Sequence, residues 1–258
     1  MKKTLTALII AKNEEHRIRK CLDSIRWADE IVVVDGFSTD KTVEICKEYG
    51  ANVVQHKFEG SFDIDCNLGI DSSKGDWILK LDADEVVAKS FKEDAEKILQ
   101  HDRGYSAFKF RRKNFFLGHF MRYGGWYHYS LHFFKKGKAR YKGHVHETLI
   151  VDGKVGTIEG EVKHYPFSSI KEFVERHNRY ADMEAQKILY EEGVLGEKSI
   201  IYNLKIKPLK RFWKFYVKKQ GFREGIYGLI FSILFAWVHF LNWSRYWELI
   251  KDKAGNEA

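Results

Sequence analysis

The first eighty residues alternate short apolar runs with amphipathic stretches. Residues 5–10, LTALII, form an uninterrupted apolar run of the kind found in a strand buried on both faces. The polar loop AKNEEH follows, and residues 15–27 then place Ile18, Cys21, Leu22 and Ile25 at helical spacing. IVVVD is a second apolar run, stopped by Asp35. After the turn GFSTD a helix is predicted over 41–49, with Ser38 or Asp40 able to cap it and Gly50 suited to its C-terminal end. ANVVQH reads as a third strand, 61–73 as a helix and GDWILKLDADE as a fourth strand. Strand and helix alternating in units of about 25 to 30 residues predict right-handed βαβ crossovers and a parallel sheet covered on both faces. In such sheets ligands bind beyond the carboxyl ends of the strands. Asp35 and Asp82 both end predicted strands, so they share one rim.

The pattern changes near residue 104. Short runs such as YSAFKF, SLHFF and ARYKGHVHETLIV, separated by Gly-rich turns, predict antiparallel strands that extend the sheet and wall a cleft. Residues 168–192 read as a helix capped by Ser168 or Ser169. Residues 205–219 then carry seven basic side chains and no acidic one, interleaved with Ile206, Leu209, Phe212, Trp213, Phe215, Tyr216 and Val217. This is the composition of a helix at a membrane interface. Residues 225–243, GIYGLIFSILFAWVHFLNW, hold His239 as the single ionisable group. Such a segment can lie in or dip into a membrane, span it, or serve as a core or dimerisation helix. The expected organisation is an α/β domain over 1–200, a Rossmann-like and mostly parallel sheet with an antiparallel extension, followed by membrane-associating helices over 201–258.

Composition sharpens this outline. The chain has 258 residues, 44% hydrophobic and 31% charged, enough to bury a full core. Its formal net charge of +8 favours acidic partners such as nucleotides, phosphorylated lipids, nucleic acid or an anionic membrane. Cys21, Cys46 and Cys66 are odd in number and lack metal-ligand spacing, so they read as reduced thiols of a cytoplasmic protein. The basic N-terminus leads into an apolar stretch too short for a signal peptide and reads as the first strand.

Three groups of residues could carry chemistry. The rim set comprises Asn13, Glu14 and Glu15 after the first strand, Asp35 after the second, and Asp82 with Asp84 after the fourth, where Glu85 adds a third carboxylate. AKNEE contains no glycine fingerprint and the chain no GxxxxGK[ST], which excludes a dinucleotide Rossmann site and a P-loop. Carboxylates alone repel phosphates; Mg²⁺ or Mn²⁺ bridging Asp84 to a pyrophosphate resolves the conflict, since such ions take one or two carboxylates and complete their shell with phosphate oxygens and water. A second group is His144, His146 and Glu147 in GHVHETL, with His164 further on; it lacks the HExxH spacing of a zinc helix, but Glu147 could act as a general base and a histidine could join the metal shell. The third group, Tyr123, Trp126 and Tyr127, could be core or a stacking platform for a sugar.

The order AKNEE, IVVVDGFSTDKT, GDWILKLDADE, VHE, and a histidine seventeen residues later resembles the family 2 glycosyltransferases over roughly residues 4–240, nearest the bacterial branch that builds the lipopolysaccharide core. The resemblance implies a GT-A fold and an inverting displacement. It implies that Ala11, Asn13 and Glu14 border the nucleoside, that Asp35 holds the uracil, and that Asp82 faces the ribose or donor sugar. Asp84 would ligate the metal, His164 would lie near the diphosphate as a second ligand, and Glu147 would be the base. Asn67 and Trp126 complete the expected donor contacts. A UDP-sugar donor carrying glucose or a related hexose, a glycolipid or lipopolysaccharide-core acceptor, and peripheral attachment to the cytoplasmic face of the inner membrane are implied, with no nucleic-acid partner; another cell-envelope polysaccharide or a protein is the alternative acceptor. The chain departs from the family pattern in reading DGFSTD for DSGSTD, in placing Cys66 before Asn67 where a basic residue is usual, and in placing His132 in LHFF where the family reads RLF. A nucleotidyltransferase is the alternative enzyme and a basic nucleic-acid-binding module the alternative class. The first lacks a Gly-rich phosphate loop, and in the second the basic run would sit beside the most apolar part of the chain.

Overall fold

The computed structural model describes residues 2–57, 62–142 and 148–256. They form two compact units, one of Met1–Lys113 with His128–His164 and the other of Asn114–Tyr127 with Tyr165–Ala258.

The first unit begins with the predicted alternation: β1 (Leu5–Ala11), α1 (Ile18–Ser24), β2 (Glu30–Asp35), α2 (Thr42–Glu48), β3 (Asn52–Gln55), α3 (Phe62–Ser72) and β4 (Trp77–Asp82). β1 lies between β2 and β4 and is parallel to both, and β3 is parallel to β2. The unbroken apolar run of β1 is explained by burial on both faces: Ala7 and Ile9 pack into a core with Ile18, Leu22 and Phe91, and Leu8 into a second core with Val32, Val34 and Ile70. Asp40 starts α2 by accepting from the Thr42 amide at 3.0 Å, and Gly50 follows the helix with φ of 71°. In the strand order 3-2-1-4 the succession of strands switches sides between β1 and β4, and at such a switch point the ligands of open α/β sheets bind beyond the carboxyl ends of the strands.

Next come β5 (Glu85–Val87), α4 (Lys89–Gln100), β6 (Tyr105–Phe116), β7 (His119–Phe120), β8 (His128–Lys135), β9 (Ala139–Lys142), β10 (Thr148–Val151) and β11 (Lys154–Phe167). The sheet continues from β4 through β8, β6 and β11 to β5; β8 is antiparallel to β4 and to β6, and β5 is antiparallel to β11. The architecture is the mixed α/β one predicted, a parallel half with an antiparallel extension. One detail differs: of the run ARYKGHVHETLIV, residues 139–142 and 148–151 pair as a separate two-stranded ribbon, β9 with β10, rather than extending the main sheet.

The second unit is helical apart from short strand pieces. α5 (Ile170–Glu192) is capped by Ser169, whose hydroxyl accepts from the Glu172 amide while Glu172 accepts back from Ser168. α6 (Glu197–Trp213) passes through a π-helical turn (Lys214–Lys218) and a 3₁₀ turn (Gly221–Glu224) into α7 (Gly225–Asn256), which packs on both α5 and α6. Phe116, Met121, Phe167, Phe173 and Phe231 form an aromatic core, and Ala185, Ile200, Trp243 and Tyr246 a second cluster.

Candidate active site

The site is built where β4 turns into β5. A strand places alternate side chains on one face, so Lys80 and Asp82 stand together; Lys80 Nζ donates to Asp82 Oδ1 at 2.7 Å. Arg112, from β6, donates through Nη2 to Asp82 Oδ2 at 2.7 Å and lies with Nε 2.6 Å from Glu85 Oε1. The Asp82 amide donates to Glu85 Oε2 at 2.9 Å and closes the turn. Two of the three clustered carboxylates are therefore neutralised by cations of the chain itself. The geometry has an electrostatic signature. Burial would raise the Asp82 carboxyl, but Lys80 and Arg112 overcome it and hold the group well below the usual carboxylate range. Burial, with Asp82 adding to it, pushes Glu85 up against the pull of Arg112. Lys80 is kept charged by Asp82 despite its burial.

Asp84 is 5% exposed and meets a different partner. The β11–β5 register sets His164 opposite Glu85, and His164 Nε2 then lies 3.4 Å from Asp84 Oδ1. Asp82, Asp84 and His164 offer two carboxylate oxygens and an imidazole nitrogen within 4.8 Å of one another. This donor set fits a divalent ion such as Mg²⁺ or Mn²⁺, with an ion sharing Asp82 with Lys80 and Arg112.

The β1 and β2 ends form the neighbouring part of the rim. Ala11 and Asp35 are register partners, and the Gly36 amide donates to the Ala11 carbonyl at 2.9 Å. Asp35 is fully buried: it accepts from the Ser38 amide and hydroxyl at 3.0 and 2.5 Å and from Gln55 at 3.2 Å. Its carboxylate thus anchors the 36–38 turn. Asn13, at φ of 55°, ties the two loops together, its amide donating to Ser38 Oγ at 2.9 Å and its Oδ1 accepting from the Thr39 amide at 2.8 Å. The Glu14 amide donates to Thr42 Oγ1 at 2.8 Å, and its carboxylate pairs with Arg17.

Two further expected residues, Asn67 and Trp126, make these contacts within the protein. Asn67 clamps α3 to β9, its Nδ2 donating to the Tyr141 carbonyl at 2.9 Å and its Oδ1 accepting from the Tyr141 amide at 3.0 Å. Trp126 packs in the second unit's aromatic core, stacked at 5° on Phe167 and in contact with Phe116, Phe231 and Phe235. Both side chains meet the protein itself, because one satisfies backbone groups and the other fills a core. His144, His146 and Glu147 lie outside the described residues.

Lys80 and Arg112 were not among the expected site residues. Lys80 had a signal, a lysine two positions before Asp82 in an otherwise apolar strand. Arg112 had none, lying thirty positions from its carboxylate. His132, where the family carries a cation, is held neutral, its pKa lowered to about 3 by burial and by Lys80; its Nδ1 bonds the Tyr141 hydroxyl at 2.7 Å. Two cavities, lined by Lys74, Asp76 and Arg140 and by Asp29, Glu30 and Tyr49, open at the amino ends of β4 and β2, at the far end of the sheet.

Residues 6–149 match the family model described as glycosyl transferase family 2. An "Uncharacterized glycosyltransferase" of Rickettsia bellii is 27% identical over 269 residues, covering 96% of this chain and 87% of that protein. The lipopolysaccharide core biosynthesis glycosyltransferase LpsC of Rhizobium meliloti is 24% identical over 252 residues, covering 95% and 92%. Among solved structures, residues 1–349 of S. aureus TarS overlay with a TM-score of 0.48 at 13% identity, covering 94% of this chain and 89% of that one.

Proposed function

The chain belongs to glycosyl transferase family 2 and is a glycosyltransferase of GT-A fold; from that premise we propose that it moves a hexose from a UDP-sugar to a hydroxyl of a lipid-linked or lipopolysaccharide-core acceptor, with inversion and with Mg²⁺ or Mn²⁺ bound. The observation that carries this reading is the Asp82, Asp84 and His164 trio at the carboxyl end of β4, at the switch point of the strand order. LpsC, similar along nearly its whole length, supports the acceptor class.

In this reading Asp84 and His164, with Asp82, hold the ion. Bound there, it supplies charge neutralisation for the departing diphosphate. Lys80 and Arg112 keep Asp82 ionised and fixed in direction, so that it meets the ribose or donor sugar without reorganising. Ala11, Asn13, Glu14 and the Asp35-anchored turn border the nucleoside. Glu147 takes the proton from the acceptor hydroxyl, which attacks the anomeric carbon from the face opposite the leaving group. The support for Glu147 is its place in VHE, a carboxylate seventeen residues before His164.

The second unit would hold the enzyme on the cytoplasmic face of the inner membrane, its acceptor's location. The helical stretch Gly221–Asp252, which includes most of α7, is long and apolar enough to cross a membrane, and only 28% of its most apolar window is buried. Leu209, Trp213, Phe222 and Ile226, all more than half exposed, flank the connection between α6 and α7 among the basic side chains of 205–219.

The test is a panel of nucleotide sugars assayed for nucleotide release. Release from a UDP-sugar with Mn²⁺ or Mg²⁺, lost in EDTA and reduced at least about a thousandfold by Asp84→Ala, is the expected outcome. Full activity in EDTA, or in the variant, would remove the metal from the reading.

A further inference from the structure

Phe37 is the most anomalous residue of the rim. Its φ is 58°, in the left-handed region that a bulky aromatic side chain seldom occupies, and it is 53% exposed. The sequence does not require this: the related motif has glycine at this position, where left-handed backbone is free of strain. An aromatic side chain here adds backbone strain and leaves apolar surface in water, two unfavourable effects, and among the described residues Phe37 belongs to none of the core clusters. Such conformations persist when the surroundings over-determine them, and they gather at ligand sites.

The surroundings do over-determine it. Gly36 is held by the Ala11 carbonyl, and a side chain there would press on the Lys12 stem, 3.1 Å from the position of a Cβ. Ser38 is held by Asp35 through two hydrogen bonds, and Asn13 bonds both Ser38 and Thr39. Phe37 is thus the exposed crest of a turn fastened on both sides. Asn13 and Phe37, both left-handed, stand on adjoining loops of one rim.

The register locates this crest relative to the acidic site. Asp82 pairs in level with Ile10, and Asp35 with Ala11, so the two strand ends finish at nearly the same height with β1 between them. Neighbouring strands lie about 4.8 Å apart, which sets the β2 and β4 rims about 10 Å from one another. An extended nucleotide spans this order of distance between its diphosphate and its base. With the diphosphate at Asp84 and His164, the base reaches the β2 rim.

Resting on the donor reading above, we propose that Phe37 is the stacking surface for the nucleobase of the nucleotide donor, in place of a glycine that could only leave room for it. A stacked face accepts any base, so Phe37 contributes affinity for the nucleoside while other contacts discriminate among bases.

The full-length protein is titrated calorimetrically with UDP, GDP and pyrophosphate in the presence of Mn²⁺, as wild type, F37G and F37W. F37G is expected to weaken UDP about tenfold, the scale of one base–aromatic stack. Pyrophosphate affinity should be unchanged, and F37W should stay within about twofold of wild type. The thermal midpoint of F37G should equal or exceed that of wild type, because glycine relieves the left-handed strain. In turnover, KM for the donor should rise with kcat retained. UDP binding by F37G as tight as by wild type would overturn the proposal, as would an equal loss for pyrophosphate. Wild-type protein that binds none of the nucleoside diphosphates would overturn the donor reading itself, whereas wild-type binding that F37G keeps would overturn only the role of Phe37.

Discussion

The two units treat charge in opposite ways. In the first, Lys80, Asp82, Glu85 and Arg112 form a chain of contacts between 2.6 and 2.9 Å, with Glu85 only 2% exposed. In the second, the cations of 205–219 stand on exposed helix faces; Lys210 and Arg211 contact Tyr202 and His239, while Leu209 and Trp213 are open to solvent beside them. A buried charge costs several kcal/mol unless it is paired, so its partners must be placed atom by atom. An exposed charge is screened within about 10 Å and acts with its neighbours as a field. Positioned charge suits the ordering of a reaction centre, and diffuse charge beside apolar side chains suits a broad anionic surface.

That contrast can be broken most forcefully at Arg112. Arg112→Met removes the cation shared by Asp82 and Glu85 while keeping the bulk of the stem, and should cost about 4 kcal/mol in urea denaturation, the usual penalty for stranding a buried charge. A loss below about 0.5 kcal/mol would place these pairs with ordinary surface ion pairs. In the second unit the opposite result is expected. The triple reversal K210E/R211E/K214E should leave folding stability within about 0.5 kcal/mol per site. It should weaken binding to phosphatidylglycerol vesicles at least about a hundredfold, at about 1 kcal/mol for each basic residue lost. Equal binding of wild type and variant would deny the basic face a part in membrane contact.

The smallest effect concerns pH. His132 has its pKa lowered to about 3 in the folded protein, from an ordinary value of about 6.5. The unfolded chain therefore binds the proton more readily, and the stability gained from neutral His132 is present above about pH 6.5 and falls as the pH drops toward 3. One proton sets the limit at about 1.4 kcal/mol per pH unit. His132→Gln should flatten the decline between pH 6.5 and 4.5 relative to wild type; parallel denaturation curves would show that His132 is not the group that titrates.

Much of the first unit is legible in the linear pattern. The apolar run of β1, the stop at Asp35, the glycine after α2 and the charged end of β4 are consequences of burial and backbone chemistry acting over a few residues, and periodicity records them directly. The β9–β10 ribbon was not legible in this way, because ARYK and TLIV carry a strand pattern that does not say which edge they pair with. Trp126 and Asn67 show the same limit from the side of function. An aromatic in a Gly-rich loop and a polar residue on a helix read equally as ligand contacts or as structure, and packing assigned one to a core and the other to the Tyr141 backbone.

The sequence by itself determined the alternating α/β core, the rim shared by Asp35 and Asp82, the acidic pair Asp82 and Asp84, and a basic, aromatic C-terminal region. These depend on local spacing, since a strand's period of two and its terminal residue decide which side chains reach the rim. Tertiary structure alone decided that Arg112 neutralises Asp82 and Glu85, that Asn67 clamps the Tyr141 backbone, and that Phe37 is exposed in a left-handed turn. Each of these rests on register between strands or on bonds between elements and loops, which join residues far apart in the chain. A carboxylate announces its charge in the sequence, but the group that answers it is chosen by the fold, because short-range electrostatics depends on ångström distances that only the paired strands set.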